Sequence, residues 1–325
     1  MASFKRKDGK MTKNKLNKTK GIVALALAAT VAVTPIASSA SSSVLSNSTR
    51  EISSQLIEEQ SFGRRYRTLA AVSDKSLWNY SRQSIRINGR ELKVKGFMIN
   101  GTYYIPTRAA ANALGFSYNY NSSTKTATMT ASGLKLVMTS GCYVNYANDR
   151  VLFSGMPNVI MNDGRLYAPV DSFVKAIGMT SEKKNSNIEI SGSFKPLVSA
   201  DKFYREDEVL WLARIIHAEA SGEPLLGQIA VGCVVMNRVK SVYYPNTIYG
   251  VIFDRKYGVQ FSPILNGTIY NTPSYNSILA AKICLEGVDI SEGAFFFLEP
   301  RLATSSWIPQ SRTYVYTIGN HDFYL

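Results

Sequence analysis

Cysteine and histidine are both scarce in this chain of 325 residues. Three cysteines, Cys142, Cys233 and Cys284, cannot build a disulfide framework, and two histidines, His217 and His321, cannot supply a multi-histidine metal centre. Gly-x-Ser-x-Gly, His-Glu-x-x-His and phosphate-binding glycine loops are missing too, which removes the common serine hydrolase, zinc protease and nucleotide-binding readings. Charged residues make up only 18% of the chain and hydrophobic ones 45%, so most of it is expected to fold, at a length that suits two ordinary domains. Acids are the minority charge, 23 Asp and Glu against 37 Lys and Arg, for a net +14. That excess is uneven. Residues 1–40 hold eight basic residues and one acid, Asp8, leaving +7 for the remainder. A nucleic-acid partner, which +14 invites, is therefore not expected.

The basic stretch from Lys5 to Lys20 precedes an uncharged apolar run over 21–33, then Thr34-Pro35-Ile36-Ala37-Ser38-Ser39-Ala40, with Ser38 and Ala40 where a signal peptidase reads. This order predicts a signal peptide over 1–40. An uncut anchor is the competing reading, but the run falls short of the roughly 20 residues that span a bilayer. The mature protein is expected to be exported, with no stable membrane insertion after cleavage.

Residues 41–83 read as a serine-rich flexible linker, in which Arg64, Arg65 and Arg67 form a charge cluster open to solvent or to an anionic wall polymer. From Ile85 the pattern becomes strand-like. Ile85-Arg86-Ile87 and Leu92-Lys93-Val94 alternate on either side of Asn88-Gly89, a two-residue hairpin signal. An internal repeat follows: Asn100-Gly101-Thr102-Tyr103-Tyr104-Ile105-Pro106 aligns with Asp163-Gly164-Arg165-Leu166-Tyr167-Ala168-Pro169, and Ala113-Leu114-Gly115 with Ala176-Ile177-Gly178, always 63 positions apart. Each unit predicts a turn, a strand, a Pro opening a short helix and a Gly closing it. The paired Gly-x-x-Tyr-x-Pro and Leu/Ile-Gly motifs resemble the copper amine oxidase-like N-terminal domain of secreted bacterial wall proteins, over 84–193. The resemblance implies an attachment or stalk module. No copper is expected, because the segment holds no histidine.

Residues 194–207 read as a short linker, and 208–325 as a mainly helical domain. Val209, Leu210, Ala213, Ile216 and Ala220 fall on one helical stripe, and after Ser221-Gly222 a second helix opens at Pro224. Glu219 sits at the C-terminal end of the first helix, facing the negative end of its dipole, beside Ile215 and Ile216. Both settings raise a carboxyl's pKa, as a general acid working near neutral pH requires. Without a family likeness, an ordinary helix-end carboxylate is the usual outcome for such a residue. Glu223, directly before Pro224, sits where a helix N-terminus stabilises negative charge, as a capping residue would. His217-Ala218-Glu219 lacks the Pro-Cys-x-x-Cys that a zinc deaminase needs, and Cys233, a conceivable nucleophile with His321, lies in an apolar run that makes it inert.

The run Leu212-Ala213-Arg214-Ile215-Ile216-His217-Ala218-Glu219-Ala220-Ser221-Gly222-Glu223-Pro224, continuing through Asn237-Arg238, Gln260-Phe261-Ser262, Phe295-Phe296-Phe297, Trp307 and Gly319-Asn320-His321-Asp322-Phe323-Tyr324, resembles the SleB-type cell wall hydrolase domain. The likeness spans 208–325 and implies an α+β chain: a β-rich two-repeat domain followed by a mainly helical, lysozyme-like catalytic domain. It implies a lytic transglycosylase cutting the MurNAc–GlcNAc bond of peptidoglycan glycan strands, with Glu219 as the single catalytic acid/base. The motif's usual basic third residue is Ser221 here. Two-carboxylate glycosidases activate water or attack carbon with the second carboxylate; a transglycosylase uses the muramic 6-hydroxyl instead, so one Glu suffices. Glu223, Gln260, Ser262, Tyr275, His321 and Tyr324 are the expected substrate-binding residues, with Tyr257, Tyr270 and Trp307 as further stacking candidates. Glu223 and His321 have the alternative of holding the helix junction and the C-terminal turn. No cofactor or metal is expected, and no protein partner is named. The alternatives are a hydrolytic muramidase using Glu223 or Asp254 as second carboxylate, and a non-catalytic wall-binding protein. The expected location is outside the cell, at the wall, with spore cortex or coat left open.

Overall fold

The computed structural model describes residues 80–184, 187–256, 258–303 and 305–325. The expected signal peptide and nearly all of the serine-rich linker lie outside the described residues. The hairpin forms where the sequence places it. Asn88 (φ 48°) and Gly89 (φ 78°) both adopt the positive φ that matches a two-residue turn to strand twist. They join β1 (Tyr80–Ile87) to β2 (Arg90–Glu91) with Ile87 opposite Arg90. The second arm is shorter than the alternation through Val94 predicts. The chain leaves β1 there and returns as β3 (Gly96–Ile99), pairing with the other end of β1 so that Tyr80 faces Ile99.

The repeat is structural. Its first copy runs β3, β4 (Thr102–Pro106), α1 (Thr107–Leu114), β5 (Ser117–Asn121) and β6 (Thr126–Ala131). Three linking strands follow, β7 (Leu134–Thr139), β8 (Val144–Ala147) and β9 (Arg150–Phe153). The second copy is β10 (Val159–Ile160), β11 (Leu166–Pro169), α2 (Val170–Ile177), β12 (Thr180–Lys184) and β13 (Asn187–Ser191). In both, Pro106 or Pro169 ends a strand and precedes the helix, and a left-handed glycine closes it: Gly115 at φ 71° and Gly178 at φ 66°. β4 and β11 pair antiparallel with Ile105 opposite Ala168, Tyr104 opposite Pro169 and Pro106 opposite Tyr167. Ile105 and Ala168 are equivalent positions, so the copies meet across a local two-fold axis. The strands form a sheet in the order β10-β11-β4-β3-β1-β13-β12, with β2 on β1, and a five-stranded meander from β5 to β9. Ile85, Ile105, Met129, Leu136, Phe173 and Ile177 fill the core between them.

The C-terminal region is mainly helical: α3 (Ala200–Phe203), α4 (Glu206–Ala220), α5 (Leu225–Lys240), α6 (Ile248–Ile252), α7 (Pro263–Asn266), a 3₁₀ turn (Thr268–Tyr270) and α8 (Tyr275–Leu285). β14 (Phe296–Leu298), α9 (Trp307–Ser311), β15 (Tyr314–Ile318) and β16 (His321–Tyr324) complete it, with β16 central in a three-stranded sheet. The buried stripe of α4 is Leu212, Ala213, Ile215, Ile216 and Ala220. It begins one turn later than the periodicity predicts. Leu210 is 40% exposed, because the first turn carries Glu206, Asp207 and Glu208 and faces solvent. Helix α5 is apolar nearly all round and is buried accordingly. Gly232 lets α4, α5 and α8 approach closely, since a Cβ there would lie 2.7 Å from Cys284 Sγ and 2.8 Å from Ile216 Cδ1. Cys233 and Cys284 are free, buried thiols 3.9 Å apart, and burial pushes the Cys284 thiol up, as suits inert packing.

The β-rich region and the helices pack as one compact unit. An apolar cluster continues from Phe97, Tyr104 and Val151 into Ile216, Ile229 and Ile283. At this interface the Glu286 side chain is fully buried. Its carboxylate accepts from Arg150 Nε and Nη2 at 2.8 Å each and from the Tyr204 hydroxyl at 2.8 Å, with Lys175 Nζ at 3.1 Å. Burial alone would raise this carboxyl; Arg150, Tyr204 and Lys175 outweigh it and hold it below the usual value. Tyr204 lies in the stretch 194–207, which is docked on the β-rich region: Ala200 N–H donates to Asn148 O at 3.0 Å, and the Arg150 guanidinium lies 3.3 Å from the Phe203 ring centre.

Candidate active site

Glu219 lies on the last turn of α4, half-buried, and burial raises its carboxyl from 4.5 to about 7. Arg238, on α5, is the opposing influence. Its guanidinium is buried against three rings, Tyr244, Phe261 and Phe296, with centres 5.2, 5.2 and 5.4 Å away. Nε donates to Phe295 O at 2.9 Å, and Nη1 has no hydrogen-bond partner among the described residues. Burial lowers the Arg238 pKa, and Tyr244, Asp254 and Glu219 work against that shift. Glu219 and Asp254 thus both favour the charge of this one buried cation, which the sequence places in a motif without revealing its cage.

The turn after α4 is pinned by Glu223. This buried carboxylate accepts from Asn320 N–H at 3.0 Å and Asn320 Nδ2 at 2.8 Å, holding the tip between β15 and β16. Gly319 is required at that tip: its φ is 58°, and a Cβ would collide with Glu223 Oε2. His321 is buried beside it, with Nδ1 3.8 Å from Glu223 Oε1 and its ring edge-on to Phe297 at 5.4 Å. Burial lowers the His321 pKa, opposed by Glu223, Glu299 and Asp322. The contacts of Glu223 and His321 are those of the helix junction and the C-terminal turn. Tyr324 is also buried, packed edge-on against Tyr314 with ring centres 5.8 Å apart.

The other expected site residues are more open. Gln260 is half-buried, its Nε2 donating to Gly258 O at 3.1 Å, and Ser262 is exposed immediately before α7. Tyr275 opens α8 at 44% exposure, Tyr270 is exposed against Trp211, and Trp307 is exposed against Phe296. Tyr257 lies outside the described residues.

A polar chain that the sequence does not reveal ties the end of α4, which carries Glu219, to the starts of α5 and α8. Gln228 Nε2 donates to Glu223 O at 2.9 Å, and the Ser277 hydroxyl donates to Gln228 Oε1 at 2.9 Å. The Ser274 and Ser277 hydroxyls are 2.9 Å apart, and Ser274 N–H donates to His217 Nδ1 at 3.4 Å. The only signal was Gln228, a lone amide inside the apolar run Leu225-Leu226-Gly227-Gln228-Ile229-Ala230-Val231. Polar groups partnered in this way fix a local geometry, and here that geometry is the end of α4 that carries Glu219. Among the described residues no group of three or more His, Cys, Asp or Glu is placed to hold a metal ion.

The C-terminal region is a cell wall hydrolase domain: a profile of the family described as Cell Wall Hydrolase matches residues 222–324, beginning just after Glu219. A profile described as Copper amine oxidase N-terminal domain matches 86–191, so the chain joins a member of each family. Among curated proteins it is similar to the spore cortex-lytic enzyme of Bacillus cereus, 34% identical over 149 residues, 45% of this chain and 56% of that protein. It is also similar to the spore cortex-lytic enzyme of Halalkalibacterium halodurans, 38% identical over 120 residues, 37% of this chain and 35% of that one. The chain thus spans about half or less of the curated relatives it matches. A solved structure, the catalytic domain of the germination-specific lytic transglycosylase SleB from Bacillus anthracis, is 36% identical, covering 38% of this chain and 97% of that one with a TM-score of 0.35.

Proposed function

We propose that the protein is an exported peptidoglycan-cleaving enzyme that cuts the MurNAc–GlcNAc bond as a lytic transglycosylase, with Glu219 as its single acid/base. The observation that carries this reading is the Glu219 carboxyl, raised to about 7 by burial, so that near neutral pH it is present both as acid and as base. The Glu219 proton passes to the bridging glycosidic oxygen as its bond to the muramic C1 breaks. The 6-hydroxyl oxygen of the same muramic residue then bonds to C1, closing a 1,6-anhydro ring. Its proton returns to the Glu219 carboxylate. No water is consumed and no cofactor enters. Arg238 keeps burial from raising the carboxyl further, which preserves the base form needed in the second half. Gln260, Ser262 and Tyr275 are the exposed or half-exposed groups offered to the sugar, and Glu223 and His321 position the turn.

Hydrolysis is the second reading, favoured by one observation: Asp254 acts on the same buried guanidinium as Glu219, so a second carboxylate stands in that electrostatic neighbourhood. Mass spectrometry of muropeptides released from cortex and from vegetative sacculi separates the two. A 1,6-anhydro muramic end is one water lighter than a reducing end, and reducing ends alone would replace transglycosylation with hydrolysis. Full release by Glu219→Gln would overturn both.

A further inference from the structure

The two copies of the β-rich repeat are built on the same scaffold, and their differences separate what the fold needs from what it does not. Tyr104, Pro106 and Gly115 recur as Tyr167, Pro169 and Gly178. Arg108, Asn112, Tyr118 and Tyr120 do not recur; the equivalent positions hold Asp171, Lys175, Ser181 and Lys183. Lys175 is engaged with Glu286, so in the second copy the outer face of the helix serves the contact with the helical region. In the first copy the corresponding face borders a cavity of about 300 Å³.

Arg108 and Asn112, one helical turn apart on α1, form one wall of this cavity, and Tyr118 and Tyr120, on the same face of β5, form another. Arg165 from the turn before β11 and Val94 complete it. The tyrosine platform is fixed from behind: the Tyr118 hydroxyl is 3.0 Å from Thr107 Oγ1, and that buried hydroxyl donates to Leu166 O at 3.0 Å. Arg165 is neutralised by Asp163 at 3.0 Å. Arg108 lies 4.5 Å over the Tyr118 ring and makes no salt bridge among the described residues, so its charge remains available. Charge is also divided between the two regions. Residues 80–191 carry thirteen Lys and Arg against six Asp and Glu, while residues 200–325 carry ten against twelve.

A flat aromatic ring, a guanidinium without a salt bridge and an amide without a side-chain hydrogen bond among the described residues, in a cavity at the lower end of the size range for small-molecule sites, match one kind of ligand. It is a single pyranose ring bearing a carboxylate: the ring stacks on Tyr120, whose face Arg108 does not cover, the acid meets Arg108 where it lies over Tyr118, and the N-acyl or hydroxyl groups meet Asn112. We infer that this cavity binds a carboxylate-bearing sugar, of the muramic or uronic acid type, and so holds a wall glycan on the β-rich region. The binding stands apart from the cleavage reading, since it requires neither Glu219 nor turnover.

The test titrates the full chain with N-acetylmuramic acid, glucuronic acid, N-acetylglucosamine and glycerol phosphate, each followed by ligand-observed NMR. Both sugar acids should bind about tenfold or more tightly than the neutral sugar and glycerol phosphate. Preference for only one acid identifies the source and still supports the site. Arg108→Gln, at an exposed position where folding is undisturbed, should remove that preference, while Lys135→Gln, an exposed cation on β7 outside the cavity, should keep it. Equal binding of N-acetylglucosamine, tighter binding of glycerol phosphate, or an equal loss in Lys135→Gln would each overturn the assignment.

Discussion

Replacing Glu219 by glutamine keeps the shape of the side chain and removes its titration, which makes the half-buried carboxyl measurable in the folded protein. Burial carries it from 4.5 to about 7. At about 1.36 kcal/mol per pH unit, its ionised form is disfavoured by about 3 kcal/mol relative to the unfolded chain. Because the folded value is the higher one, the folded protein binds more protons than the unfolded chain between the two. Stability from this group is therefore complete below about pH 4.5 and is lost as pH rises through about 7. Glu219→Gln carries no such loss. In urea unfolding followed by tryptophan fluorescence, the variant should match the parent near about pH 4 and exceed it by about 3 kcal/mol near about pH 9. The same variant should release no muropeptides, so the substitution trades activity for alkaline stability. A parent–variant difference that stays constant across this pH range would refute the reasoning, because the carboxyl would then titrate at its ordinary value.

Gly319→Ala places a Cβ on a left-handed residue and against Glu223 Oε2. The backbone cost of about 1 kcal/mol adds to a displaced Glu223–Asn320 contact, and both the thermal midpoint and turnover should fall; an unchanged midpoint would show the tip to be adaptable. Glu286→Gln leaves Arg150 and Lys175 facing a neutral group at a buried interface, and about 3 kcal/mol of stability should be lost at neutral pH. The Glu286 carboxyl is held below its usual value, so its contribution is present above about pH 4.5 and fades as pH falls through the lower folded value. A deficit that is as large under acid as at neutral pH would show that charge is not what holds the interface.

The parts of the fold legible in the sequence are those fixed by local chemistry. Asn88-Gly89 dictated its turn, and Pro106, Gly115, Pro169 and Gly178 marked the ends of two helices because proline and glycine constrain the backbone wherever they stand. Helix α5 was legible from its apolar run. The first turn of α4 was misread because Leu210 keeps the helical period where no neighbour covers it. The interface was illegible for a different reason: Arg150, Lys175 and Glu286 are far apart in the chain, and each alone reads as an ordinary surface charge. The site divides in the same way. The raised Glu219 carboxyl could be read from a helix end beside isoleucines, and its proposed role only from the family likeness, whereas the aromatic cage of Arg238 needs α5 to meet Tyr244, Phe261 and β14, and the chain from Gln228 to His217 needs three helices to meet.

The strand pair in which Ile105 faces Ala168 makes the contact that two identical subunits would make about a dyad, here drawn within one polypeptide. In a homodimer every substitution is imposed on both sides of such a seam. Joined in tandem, the halves are released from that obligation, and each can specialise without unpairing the seam. One half has become a bracket for a neighbouring domain, which leaves the other at liberty to face the surroundings.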